Sequence, residues 1–193
     1  MISTDHWNFN DGWLSAGHKV CSPNYDERPS GVAPELIVVH GISLPPGNYG
    51  GSGIKELFTN CLNSRDHPYY ARIAHMRVSA HFLIRRKGEL LQFVSTSDRA
   101  WHAGQSCWKK RTNCNDFSIG VELEGCDTEA YTENQYKKLA ALIVVLQNQY
   151  PRIQHDAIVG HCDVAPGRKT DPGPSFDWKK LECYLESCRG DAR

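Results

Sequence analysis

A chain of 193 residues is enough for one well-packed domain and short of what two would need. Its 22 basic and 22 acidic residues cancel, and no long run of either sign occurs, which excludes the electrostatic footprint of a nucleic-acid binder or of a protein drawn to an anionic membrane. No apolar run reaches membrane-spanning length, so the expectation is a single domain over residues 1–193 with neither nucleic acid nor membrane as partner.

In chain order, the opening MISTDHWNFNDGW has no basic stretch followed by an apolar one, so no secretory signal is expected and the location expected is cytoplasmic. Residues 1–35 are polar and loop-rich, with Pro23, Pro29 and Pro34 marking turns. Leu36–Val39 reads as a buried strand running into His40. Ser43–Gly53 holds four glycines and two prolines and is expected to be a mobile loop; without a Gly-Lys-Ser/Thr ending it is no phosphate-binding loop. Ile54, Leu57, Phe58, Cys61 and Leu62 recur at helical spacing. Val78–Val94 alternates as a hairpin turning at Lys87-Gly88, and Trp101 opens a long loop ending near Asn115.

Phe117–Leu123 is a further buried strand, and the two-residue period sends Glu122 and Glu124 to one face. Thr132-Glu133-Asn134-Gln135 matches a capping box for a long helix bearing Tyr136, Leu139, Ala140, Ile143, Leu146 and Tyr150, stopped by Pro151. A strand at 157–160 delivers His161, a Pro- and Gly-rich segment follows, and a last helix starts near Ser175 with Trp178, Leu181 and Leu185, leaving a frayed tail from about 187. The alternation predicts an α/β fold: one central mixed β-sheet flanked by helices.

Eight cysteines without a CxxC pair, in a chain with no signal, read as reduced and mostly buried thiols. His40 and His161 each follow an apolar strand, and Asp171 stands on the adjoining loop. Two histidines and a carboxylate suit a three-ligand zinc site with an open position for water; hydrogen-bonded structural histidines are the alternative. Glu122 could take a proton from an attacking water, and Glu124 on the same face competes for that role. Lys169 could offer its charge to an oxyanion or be a surface lysine. His75, His81 and His102 have supporting, substrate or purely structural roles open to them. Cys162 beside His161 points the other way in an extended segment and makes no catalytic pair with it.

Five stretches carry a resemblance: VVHGISLPPGNYGG (38–51), HPYYARIAHMRVSAHFLIRRKGELLQFV (67–94), RAWHAG (99–104), CNDFSIGVELEG (114–125) and GHCDVAPGRKTDPGPSFDW (160–178). From about Trp13 to past Trp178 the chain resembles the 1,6-anhydro-N-acetylmuramyl-L-alanine amidases, zinc amidases that share a fold with the peptidoglycan recognition proteins and phage T7 lysozyme. The resemblance implies one zinc ion on His40, His161 and Asp171, Glu122 as the catalytic carboxylate in preference to Glu124, and Lys169 as the stabiliser of the tetrahedral intermediate. It implies Arg77 and Trp101 as substrate contacts. The reaction implied is hydrolysis of the amide between anhydro-N-acetylmuramic acid and L-alanine of a muropeptide, by a monomer, in cell-wall recycling and in damping β-lactamase induction. The chain departs from these relatives at Gly41, where they commonly carry asparagine, and over Gln105–Asn113. A muropeptide-binding protein without catalysis, and a periplasmic amidase acting on polymeric peptidoglycan, are the rival readings.

Overall fold

Two strands, Leu36–Ile42 and Ser118–Glu124, pair in parallel along their whole length, with Leu36 opposite Ser118 and His40 opposite Glu122. They are the centre of the fold. The computed structural model describes residues 2, 4 and 6–190. In chain order the elements are β1 (Phe9–Asn10), β2 (Trp13–Leu14), β3 (His18–Lys19), β4 (Tyr25–Glu27), β5 (Leu36–Ile42), α1 (Gly53–Phe58), α2 (Pro68–Ile73), β6 (Phe82–Ile84) and β7 (Leu90–Gln92). Then follow β8 (Asp98–Ala100), β9 (Cys107–Trp108), β10 (Arg111–Thr112), β11 (Ser118–Glu124), α3 (Glu133–Gln149), β12 (Ile158–Gly160), α4 (His161–Val164) and α5 (Trp178–Gly190).

Six strands form one mixed sheet in the order β12-β5-β11-β6-β7-β3. Strands β12, β5, β11 and β6 are parallel, and β7 turns back antiparallel to β6. All seven residues of β11 are buried, as befits the middle of a sheet covered on both faces. On one face, Phe82, Ile84 and Leu90 join Leu139, Ile143, Leu146, Leu181 and Leu185 of α3 and α5. On the other, Leu83 and Leu91 meet Ile54, Leu57 and Phe58 of α1. Adjacent residues of β6 thus serve opposite cores, the period of two made physical. Each fully buried Leu or Ile contributes about 1.5–3 kcal/mol through lost apolar exposure, so the two faces hold the sheet from both sides.

The mixed sheet with flanking helices is the architecture expected from the sequence, and the Thr132–Gln135 capping box of α3 forms in both directions. Several local expectations are corrected. Residues 9–27 hold four short strands, of which β3 pairs with β7 and β4 with β8; at two or three residues each is too short to show alternation. Helix α2 starts at Pro68 behind His67, whose Nδ1 accepts from the Tyr69 N–H, an imidazole standing where sequence rules look for Ser, Thr, Asp or Asn. The long loop after Trp101 contains the β9–β10 hairpin, turned by Lys109 and Lys110 at positive φ. Helix α5 begins at Trp178 rather than near Ser175, because Asp177 Oδ1 accepts the Lys180 N–H. It continues to Gly190, so the tail expected from about 187 is helical that far and otherwise lies outside the described residues. The thiols are not mostly buried: Cys114 is, whereas Cys21 and Cys61 on connections, Cys107 in β9 and Cys183 on α5 are exposed.

Candidate active site

Parallel strands carry their carboxyl ends to one rim of a sheet, and side chains leaving those ends meet there. Here β5 brings His40 to the rim and the β11 register sets Glu122 opposite it. Strand β12 ends at Gly160, so His161, expected at a strand end, opens the one-turn helix α4. Asp171 stands on the irregular segment beyond, held because its carbonyl accepts the Cys162 N–H at 3.0 Å.

These elements bring three polar atoms together. Nδ1 of His40 lies 2.9 Å from Nδ1 of His161, and Asp171 Oδ2 lies 3.1 Å from the first and 3.0 Å from the second. The outer nitrogen of His161, Nε2, lies 3.1 Å from the Ala103 carbonyl, which can only accept. The ring proton is therefore on Nε2, and Nδ1 turns a lone pair towards Asp171. Burial pushes His40 down to about 4, against the pull of Asp171, so near neutral pH this ring holds no second proton. His40 Nδ1 either donates its ring proton to Asp171 or, left bare, joins two other acceptors that a cation between them would hold this close. Two imidazole nitrogens and one carboxylate oxygen are the donor set of an open metal site, and this cluster could hold a metal ion.

Around the triad is a cavity of about 510 Å³ whose lining includes Glu122, Lys169, Trp101, Met76 and Leu44. Glu122 is 8 % exposed, and its Oε2 has no hydrogen-bond partner. Burial and then the Asp171 charge push its carboxyl well above the usual range, with Lys169 pulling the other way. A buried acid without a partner, facing a cluster of metal-ligand type, is equipped to exchange protons with whatever occupies the cavity. Glu124, by contrast, accepts from Arg85 Nη1 at 3.2 Å, the Gly50 N–H at 2.7 Å and the Arg86 N–H at 3.2 Å. Cys162 is half-buried, and burial raises its thiol, unlike an activated nucleophile.

Trp101 lines the cavity with its Nε1–H donated to Asp26 Oδ1 at 3.1 Å. Arg77 does not: it is exposed between the lining residues Met76 and Val78, with its guanidinium turned to the carbonyls of His75 and Met76. The Ser43–Gly53 segment forms a wall of the cavity and is tied by Tyr49 Oη–H to Glu129 at 2.8 Å, by the Gly50 N–H to Glu124 and by Arg85 to the Gly51 carbonyl. Its Gly and Pro content signals irregular backbone, which an anchored loop shares with a mobile one. At Gly41 a Cβ would come within 2.3 Å of Tyr131 Oη, which donates to the Pro172 carbonyl next to Asp171. Tyr131, Asn115 and Ser118, which support this region, gave no sequence signal of their own; each partner is distant in the chain or is a backbone atom.

Comparison with known proteins places this geometry among relatives. Residues 30–174 match the family model described as N-acetylmuramoyl-L-alanine amidase. The chain is 56% identical over 175 residues to the 1,6-anhydro-N-acetylmuramyl-L-alanine amidase AmpD of Citrobacter freundii, covering 91% of this chain and 93% of that protein. It is 47% identical over 178 residues to the protein of the same name from Haemophilus influenzae, covering 92% and 95%. The fold is similar to a crystal structure of a selenomethionine AmpD derivative, with a TM-score of 0.90 at 54% identity over 92% of this chain and 99% of that one. It is also similar to the amidase AmiD of Escherichia coli, solved with the substrate anhydro-N-acetylmuramic acid-L-Ala-D-gamma-Glu-L-Lys, with a TM-score of 0.58 at 25% identity over 83% and 65%.

Proposed function

This chain belongs to the N-acetylmuramoyl-L-alanine amidase family, and from that premise we propose that it is a zinc-dependent hydrolase cleaving the amide between anhydro-N-acetylmuramic acid and L-alanine of a muropeptide. The observation that carries the zinc reading is the approach of His40 Nδ1, His161 Nδ1 and Asp171 Oδ2 to about 3 Å of one another beside a partnerless buried carboxyl. Zinc held there would polarise the scissile carbonyl and make a water acidic near neutral pH. Glu122 then takes the proton of the attacking water and returns one to the leaving amine of L-alanine, which its raised affinity for protons suits. Lys169, exposed on the cavity lining, offers its ammonium to the oxyanion that develops on the carbonyl.

The rest of the cavity supports the same substrate. The indole of Trp101 and the apolar wall of Leu44, Ile73 and Met76 suit a sugar face. Arg77 would reach the stem-peptide carboxylates where the peptide leaves the cavity. The exposed thiols of Cys21, Cys61, Cys107 and Cys183 suit a reducing compartment, and with it a cytoplasmic monomer acting on recycled wall fragments and so lowering the signals for β-lactamase induction. No helix among the described residues is long and apolar enough to cross a membrane.

Incubation with an anhydro-muramyl tripeptide, with and without a zinc chelator, followed by mass spectrometry of the products tests the proposal. The expected result is release of anhydro-muramic acid and free tripeptide, abolished by the chelator and restored by zinc. Cleavage that ignores zinc removal overturns the metal assignment, and no cleavage by protein containing one zinc overturns the reaction.

A further inference from the structure

Two consecutive residues, His102 and Ala103, address the outer nitrogens of both histidines of the triad. The Ala103 carbonyl meets His161 Nε2 at 3.1 Å, and His102 Nδ1 meets His40 Nε2 at 2.9 Å. The backbone carrying them is clamped, because Asn115 Oδ1 accepts both the His102 N–H at 3.2 Å and the Ala103 N–H at 2.8 Å. At His161 the carbonyl fixes the proton by itself. At His40 the partner is another imidazole, which could be donor or acceptor, so something further must choose.

The choice can be traced to an atom with no freedom. The Ser118 hydroxyl lies 2.6 Å from the Cys114 carbonyl, which only accepts, so the single hydroxyl proton is committed there. Ser118 Oγ is also 3.1 Å from His102 Nε2, and with its proton spent it can only accept. His102 Nε2 therefore carries the ring proton and Nδ1 is bare. A bare Nδ1 accepts from His40 Nε2–H, which leaves His40 Nδ1 a lone pair aimed between His161 and Asp171. The ring of His102 reaches this position because residue 120 of the central strand is glycine: a Cβ there would come within 2.4 Å of His102 Cγ.

Resting on the zinc reading above, we propose that His102 is a positioning residue which, through Ser118, holds the proton of His40 on Nε2 and so keeps Nδ1 ready for the metal. Its contribution is to metal affinity and ring orientation; it touches no reacting atom. Ser118 sets the direction of the chain, and Gly120 makes the space for it.

Three variants separate this from mere packing. His102→Phe keeps the ring volume and removes the acceptor; His102→Asn returns an acceptor oxygen near the place of Nδ1; Ser118→Ala frees the His102 ring to take either tautomer. Zinc affinity is measured by competition with a chromophoric chelator, with folding followed by circular dichroism. The expected result is a loss of about 10- to 100-fold for His102→Phe, the usual scale for an outer partner of a metal-bound histidine, substantial recovery in His102→Asn, and a smaller loss in Ser118→Ala. Long-range ¹H–¹⁵N correlation spectra of the wild-type imidazoles supply a readout independent of folding in any variant, and the expected state is Nε2–H for both His102 and His40. A spectrum showing Nδ1–H on His102, or a folded His102→Phe that binds zinc within about twofold of wild type, overturns the inference. Failure of the wild-type protein to take up zinc would instead overturn the proposed function, and the spectra still decide the tautomers.

Discussion

Glu122 and Glu124 stand two residues apart on β11, face the same side of the sheet and are both nearly inaccessible, at 8 % and 2 %. Their surroundings are opposites. Every direction open to the Glu124 carboxylate is filled, by the Arg85 guanidinium and the N–H groups of Gly50 and Arg86, which tie the cavity wall to the sheet. Glu122 has an oxygen with no partner and looks into the cavity at the His40–His161–Asp171 cluster. A carboxylate whose hydrogen bonds are complete is part of the scaffold. One buried with them incomplete costs stability, and retaining it points to use elsewhere.

The sharpest test of that contrast is to remove each carboxylate in turn. Glu122→Ala is expected to keep the fold and the bound zinc and to lose about 10²- to 10⁴-fold in turnover, the scale of general acid–base catalysis. Near-normal turnover with zinc bound would take Glu122 out of the chemistry. Glu124→Ala is expected to do the reverse. Breaking a buried ion pair and orphaning two backbone donors should cost about 3 kcal/mol in denaturant unfolding, while turnover of the folded fraction stays within about tenfold of wild type. A variant as stable as wild type would mean that Arg85 and the Gly50 N–H find other partners.

What could be read in the sequence follows the same division. The apolar runs leading into His40 and His161, the capping box of α3 and the alternation of the hairpin around Lys87-Gly88 are local patterns and are visible as such. The two glutamates are not separable by period, because the register treats them alike; only Arg85, just beyond β6, and the loop at Gly50 distinguish them. His102 sits in a stretch without regular structure, and its partners Ser118 and Gly120 look like ordinary small residues of a buried strand. Arg77 has the charge that suits a peptide carboxylate, and its place just outside the cavity lining, between Met76 and Val78, is set by a loop that the sequence does not trace.

The smallest effect is also the most specific to Glu122, because it needs no substrate. An unfolded chain releases the proton of this acid near the ordinary value of 4.5, whereas the folded, metal-free chain holds it well above that. Between those two points the folded state binds more protons than the unfolded state, so its stability falls as pH rises, at a limiting slope of about 1.4 kcal/mol per pH unit. Glu122→Gln has the shape of the neutral acid and nothing to release. In metal-free protein the glutamine variant is therefore expected to match wild type below about pH 4 and to melt progressively higher than wild type as the pH is raised towards neutrality. Zinc bound at the His40–His161–Asp171 cluster would bring positive charge into the same cavity, stabilise the ionised carboxylate and erase the advantage of the glutamine. A difference in melting temperature that stays constant from pH 4 to pH 8 would show that the Glu122 carboxyl ionises as freely in the fold as in water, and the contrast with Glu124 would then rest on geometry alone.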